Sequence, residues 1–134
     1  MKQKEYAYIA GLIDGEGYLG LTRKDNHLWA RVVISNCNLP LLKYAKSIIG
    51  GNITVKKIHN IKWTQGYNLT IPYIEKWLPH IVPYLIGKKK KAILILEAIK
   101  LNKKRKGMTQ RAGNYGLVRL EEINKLLRKK EWDI

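Results

Sequence analysis

The stretch Tyr8-Ile9-Ala10-Gly11-Leu12-Ile13-Asp14-Gly15-Glu16-Gly17-Tyr18 constrains the fold more than any other part of the chain. Its first half is apolar, with Tyr8, Ile9, Leu12 and Ile13 at helical spacings, which predicts a helix over residues 4–14. Its second half alternates carboxylates with glycines and changes to period two from Gly17. Glycine inside a helix costs about 0.5–1 kcal/mol relative to alanine. Gly11, next to Ala10 and four residues before Gly15, therefore needs a reason beyond helix formation. Small residues at that spacing admit a second backbone, so this helix is expected to meet a partner along the stripe. An ordinary core helix capped by Gly15 explains Gly15 and leaves Gly11 unexplained. Asp14 and Glu16 lie near the negative end of the helix dipole, which disfavours them; a divalent cation reverses that sign. The plainer alternative makes Asp14 a solvated or capping acid and Glu16 a turn residue.

From Gly17 the pattern predicts a strand with Leu19 and Leu21 inward and Tyr18, Gly20, Thr22 and Lys24 outward. Asp25-Asn26-His27 is turn chemistry. A returning strand follows, Ala30, Val32 and Ile34 alternating with Trp29, Arg31, Val33 and Ser35. Asn38 and Pro40 open a helix carrying Leu41, Leu42, Ala45, Ile48 and Ile49, which Gly50-Gly51 stops. Ile53 and Val55 begin a second hairpin, with a turn near His59-Asn60 and Trp63, Tyr67 and Leu69 on the way back. Residues 73–86 are apolar but divided by Pro79 and Pro83 into short turns. Lys88 to Leu101 reads as a helix with Ala92, Ile93, Ile95, Leu96 and Ile99 on its apolar side. Residues 103–115 read as a basic mobile loop, and 117–130 as a final amphipathic helix. The expected architecture is a single α+β domain over residues 1–134. Its core is αββαββα: a four-stranded antiparallel sheet with helices on one face and extra C-terminal helices.

Twenty-six Lys and Arg oppose ten Asp and Glu, a net charge of +16. Such an excess repels itself in a compact state and suits a polyanionic partner. The solvated sheet face carries Thr, Lys, Arg, Asn and aromatic residues, so a β-surface lying in a DNA major groove is the specific expectation. Thr22, Lys24, Asn26, Arg31, Ser35, Thr54, Lys56, Lys62, Thr64 and Asn68 are candidates for base or phosphate contacts, with Tyr18 and Trp29 on sugar or thymine methyls. No apolar run approaches the roughly 20 residues of a membrane span, so no membrane partner is expected. Residues 1–5 do not lead into a signal peptide. The single cysteine, Cys37, is expected at the core or its boundary, and a reducing intracellular compartment (cytoplasm, nucleoid or an organelle) is expected. Gly15-Glu16-Gly17-Tyr18-Leu19-Gly20 matches G-x-G-x-x-G, but a helix precedes it and a strand follows. That context is the reverse of a dinucleotide fold, so the nucleotide reading is rejected.

Ile9-Ala10-Gly11-Leu12-Ile13-Asp14-Gly15-Glu16-Gly17 resembles the motif of the LAGLIDADG homing endonucleases, with Glu16 a conservative replacement for Asp. The order of elements extends the similarity through about residue 100. The resemblance implies a site-specific, divalent-metal-dependent DNA endonuclease, often intron-encoded. It assigns Glu16 and the Gly15 carbonyl to the metal and Lys88 to the active-site lysine. Asn36 falls where a polar residue positions solvent; an arginine sometimes found a few residues further on has no match. One motif per chain implies a homodimer, with Ala10, Gly11, Ile13 and Asp14 at the interface and a long, roughly palindromic double-stranded target. Mg²⁺ is the expected cofactor, with Mn²⁺ substituting and Ca²⁺ supporting binding without cleavage. Two alternatives remain at this point: an intron maturase, for which RNA would be a partner, and a catalytically silent DNA- or RNA-binding regulator on the same fold. A structural basic protein of ribosomal type would not need Gly11, Gly15 or Glu16.

Overall fold

The structure, a computed structural model, describes residues 2–25, 27–56, 65–106 and 116–130. Helix α1 (Lys2–Glu16) leads directly into β1 (Gly17–Lys24) and β2 (His27–Asn36). Helix α2 (Leu39–Ile49) connects these to β3 (Asn52–Lys56) and β4 (Gly66–Thr70). Then come α3 (Ile74–Ile81), a single 3-10 turn at Val82–Tyr84, α4 (Lys89–Lys106) and α5 (Leu117–Leu127). The strands form one antiparallel sheet in the order β1-β2-β4-β3, the two expected hairpins joined through β2 and β4.

The register fixes the faces. Leu19 pairs with Val32, Leu21 with Ala30 and Ile34 with Leu69, so these side chains point to one side and are covered by the helices. With Ile9, Ala10 and Ile13 of α1, Leu42 and Ala45 of α2, Leu78 and Ile81 of α3, and Ala92, Ile95 and Ala98 of α4, they form one buried core. Asn38 caps α2, its side chain accepting from Leu41 N–H at 3.3 Å with Pro40 in the first turn. Gly51 ends the α2 connection at φ 114°, and a Cβ there would lie 2.6 Å from Thr70 O.

Several boundaries depart from the sequence reading. Helix α1 extends at both ends beyond residues 4–14 and carries Glu16 itself. Pro79 does not divide α3, which runs through it. Its position in the last turn removes only the donor that would reach back to Glu75, and the break falls at Pro83. Helix α4 continues to Lys106, through positions expected in a loop. Asn102 Nδ2 donates to Leu28 O (2.8 Å) and Lys103 lies 3.7 Å from Glu75, contacts that carry the helix onward. On α4, Ile93 is half exposed while Leu94 is buried. Helix α5 stops at Leu127, short of residue 130. The expected turn near His59-Asn60, Trp63, and the 107–115 part of the loop lie outside the described residues. Among the described residues, no helix is long and apolar enough to cross a membrane.

Candidate functional site

The uncovered face of the sheet is set by the same alternation. Tyr18 pairs with Val33, Thr22 with Trp29, and Ser35 with Asn68, which in turn pairs with Thr54. Nine of the proposed nucleic-acid contacts fall there together: Tyr18, Thr22, Lys24, Trp29, Arg31, Ser35, Thr54, Lys56 and Asn68. Asn26, Lys62 and Thr64 lie outside the described residues. Lys24, Arg31 and Lys56 charge this face, and no carboxylate belongs to it among the described residues. Tyr18 and Trp29 are exposed, and the His27 ring leans on Trp29 with centroids 5.7 Å apart. Ser35 donates to Asn68 Oδ1 across the strands, so these two are tied to each other.

At one end of the sheet a cleft of about 370 Å³ is lined by Glu16, Ser35, Asn36, Lys56 and Tyr67, with Cys37 at its edge. The structure therefore brings Glu16 and Asn36 together although twenty residues separate them. Glu16 ends α1 and is exposed. Asn36 ends β2, and its Oδ1 accepts from Asn38 N–H (2.8 Å), which fixes the turn into α2 and leaves its amide NH₂ to serve the cleft. Lys56 enters from the far end of β3, and sequence reasoning assigned it only to the DNA face. The strand order made the difference: β4 lies between β2 and β3 and carries the end of β3 round to Asn36. Cys37 is exposed, not a core or boundary residue.

Lys88 is not among the residues lining this cleft. Its ammonium donates to Ile13 O (3.0 Å), Asp14 O (3.2 Å) and Gly17 O (2.7 Å). Two carbonyls at the C-terminal end of α1, and that of Gly17 at the start of β1, thus meet a cation, the sign that the helix dipole favours. Asp14 returns the arrangement: its Oδ2 accepts from Ile86 N–H (2.9 Å) and its Oδ1 from Lys88 N–H (2.9 Å). Lys88 O accepts from Ala92 N–H (2.9 Å), so Lys88 is the residue that opens α4, and the Asp14 carboxylate caps that opening from another helix. The residue expected as the active-site lysine thus ties the end of α1 to the start of α4. Asp14, expected at the interface, makes these contacts within its own chain.

The residues expected along the interface stripe divide between buried and exposed positions. Ala10 and Ile13 are fully buried against the chain's own core, because α1 packs on β2 and α3 through Ile9, Ala10 and Ile13. The exposed side of α1 carries Ala7, Tyr8, Gly11 and Gly15, with Leu12 half-buried. A Cβ added at Gly11 or Gly15 would meet nothing within 4 Å, whereas one at Gly17 would lie 2.7 Å from Ile13 O. Gly17 is required by the turn from helix to strand; Gly11 and Gly15 are required by nothing in the described chain. Among the described residues no cluster of three or more His, Cys, Asp or Glu could hold a metal.

No protein-family model and no curated protein sequence matches the chain. Solved structures do. The archaeal intron-encoded homing endonuclease I-Vdi141I, complexed with DNA, superimposes with a TM-score of 0.71 at 22% identity, over 95% of this chain and 84% of that one. I-CvuI, a homing endonuclease in complex with the I-CreI target in the presence of Mg, gives 0.70 at 19% identity over 94% and 81%. The LAGLIDADG homing endonuclease I-LtrWI, bound to target DNA, gives 0.68 at 17% identity over 97% of this chain and 46% of that one.

Proposed function

We propose that this chain, which has the fold of the LAGLIDADG homing endonucleases, is a site-specific double-strand DNA endonuclease acting as a homodimer. The observation that carries the reading is the placement of Glu16 and Asn36 in one cleft at the end of a basic sheet face that has no carboxylate among the described residues. DNA lies along that face, where Arg31 and the lysines meet phosphates or guanine edges and Asn68 and Thr54 meet bases or backbone. Two copies of α1 pack along Ala7, Gly11 and Gly15, bringing both Glu16 carboxylates to the centre of the duplex. The donor set fits a hard divalent cation once doubled: two carboxylates, the Gly15 carbonyls and phosphate oxygens. Glu16 and Gly15 O would hold Mg²⁺, which when bound neutralises phosphate charge and lowers the pKa of water.

This chain's own residues do the rest. Lys88 holds the backbone on both sides of Gly15-Glu16, through Ile13 and Asp14 before and Gly17 after, so the carboxylate is presented from a fixed frame. Asn36 offers its amide N–H groups to orient solvent in the cleft it shares with Glu16. Lys56 lines the same cleft and would set a cation beside the phosphate being cut. The test is Glu16→Gln assayed with Mg²⁺ on DNA carrying the host gene's insertion site. Retained affinity with cleavage abolished supports the reading; undiminished cleavage overturns it.

A further inference from the structure

A second cavity, of about 420 Å³, opens beside β2 where β4 has left it, toward the opposite end of that strand from the Glu16 cleft. Strand β4 ends at Thr70, and its last tie to β2 is Ile71 N–H donating to Val32 O at 3.1 Å. The chain then turns away at Pro72-Tyr73. Two rungs back, Leu28 O is already taken by Asn102 Nδ2 at 2.8 Å. Alternate residues of a strand direct their N–H and C=O to the same edge. Ala30, between Val32 and Leu28, therefore turns one donor and one acceptor into the cavity, and among the described residues no strand faces it there.

The walls have a definite chemistry. Trp29 is 45% exposed and Tyr73 68% exposed, two aromatic surfaces left open to solvent. Tyr73 holds its place in the left-handed region, φ 53° and ψ 44°, a conformation that side chains other than those of Asn and Asp rarely adopt. Lys76 sits 5.1 Å from the centre of its ring, and Arg31 and Lys103 line the cavity. The carboxylate present, Glu75, is matched by Lys103 at 3.7 Å. Trp29, Arg31, Asn52 and Thr70 belong equally to the uncovered sheet face, so the cavity is continuous with it.

We propose that this cavity receives an unpaired nucleobase from a nucleic acid lying on the sheet face. The base stacks on Tyr73 or Trp29, sets its polar edge on the Ala30 peptide groups, and leaves its phosphate among Arg31, Lys76 and Lys103. Aromatic platforms with nearby cations are the general device for holding unpaired bases. A β-strand from another protein fits less well, because Ile71 and Asn102 have closed the rungs on either side and one open rung gives no ladder. The proposal rests on the sheet face binding nucleic acid, not on cleavage.

The test uses the full chain, a blunt duplex, the same duplex with an unpaired flank, and matching single strands in DNA and RNA form, each unpaired stretch carrying 2-aminopurine. Stacking should quench the 2-aminopurine, and the flanked duplex should bind more tightly than the blunt one. Tyr73→Asn, which tolerates the left-handed backbone, should weaken binding of the unpaired forms by roughly tenfold while changing the blunt duplex by no more than about twofold. Quenching in DNA or in RNA supports the proposal and identifies the source of the base. No quenching with either overturns it, and that measurement needs no variant. Equal losses on blunt and flanked duplex also overturn it, because the cavity would then belong to the duplex face. Capture of a Val-rich tetrapeptide with no response to oligonucleotides overturns it in favour of strand addition. Failure to bind the blunt duplex, with quenching of the single strand intact, would overturn the endonuclease reading alone.

Discussion

Asp14 and Lys88 cap each other's helices. The Asp14 carboxylate, at the end of α1, accepts the Ile86 and Lys88 backbone N–H groups at 2.9 Å each, and the Lys88 ammonium donates to two carbonyls at the end of α1 and to Gly17 O at the start of β1. An acid at a helix C-terminus and a lysine at a helix N-terminus are each unfavourable alone. Placed so that each serves the other helix, both become favourable. The pair brackets Gly15-Glu16, so the proposed metal ligand is located by the junction of two helices and not by its own loop. The presence of Asp14 is thus explained by folding, and among the motif's two acids Glu16 alone argues for catalysis.

Removing either partner should therefore cost stability first. Asp14→Ala leaves two backbone donors unserved, a loss of about 1–3 kcal/mol, read as a lowered urea midpoint. Lys88→Met should also destabilise, and a double-mutant cycle should show coupling, since the two share one junction. Cleavage by Lys88→Met should fall in rate while its pH profile keeps its shape, and Lys88→Arg should restore part of the loss. A profile that loses one limb in Lys88→Met would return Lys88 to a proton-transfer role.

Gly11 separates the chain's own needs from those of a second copy. A Cβ there meets nothing within 4 Å, so Gly11→Ala should stabilise the isolated fold by about 0.5–1 kcal/mol through helix propensity. Gly11 is also exposed in the single chain, so a larger side chain there would act chiefly by holding two α1 helices apart. Gly11→Leu should leave thermal unfolding of the monomer intact and abolish the dimer in sedimentation, together with double-strand cutting. A Gly11→Leu protein that still sediments as a dimer would remove α1 from the interface.

What was legible in the sequence follows from which constraints are local. Period-two alternation forces side chains to opposite faces, so Thr22, Lys24, Trp29, Arg31 and Thr54 land together on the uncovered face without any knowledge of strand order. Asn38 and Pro40 carry a helix start in their own chemistry, and the structure uses it. Helix α1 was harder, because it is apolar on more than one side. Periodicity marks Ile9, Ala10 and Ile13 but does not distinguish this chain's core from a partner's, and the structure buries all three in this chain's own core. The Asp14–Lys88 exchange spans 74 residues and is created by packing alone. The cleft's use of Lys56 depends likewise on the crossover in strand order, which alternation does not encode.

The remaining prediction concerns acid. Arg119 on α5 binds Glu97 on α4 through two hydrogen bonds and reaches Glu122 with a third, at 2.8 Å. The Arg119 hydrogen bonds hold the Glu97 carboxyl below its ordinary value of 4.5, outweighing the opposing effect of burial. Because the folded form binds the Glu97 proton less readily than the unfolded form, the pair stabilises the fold fully above pH 4.5. That contribution fades as pH falls from there through the lowered folded value. Both side chains are more than one-third exposed, so water and salt screen the effect. Glu97→Gln should lower Tm at neutral pH and flatten its decline below pH 4.5, with the difference from the parent shrinking in 1 M salt. A variant whose Tm runs parallel to the parent's across that acid range would show that the α4–α5 junction is held by its apolar contacts, Leu120 and Ile123 against the core, and not by the Arg119 fork.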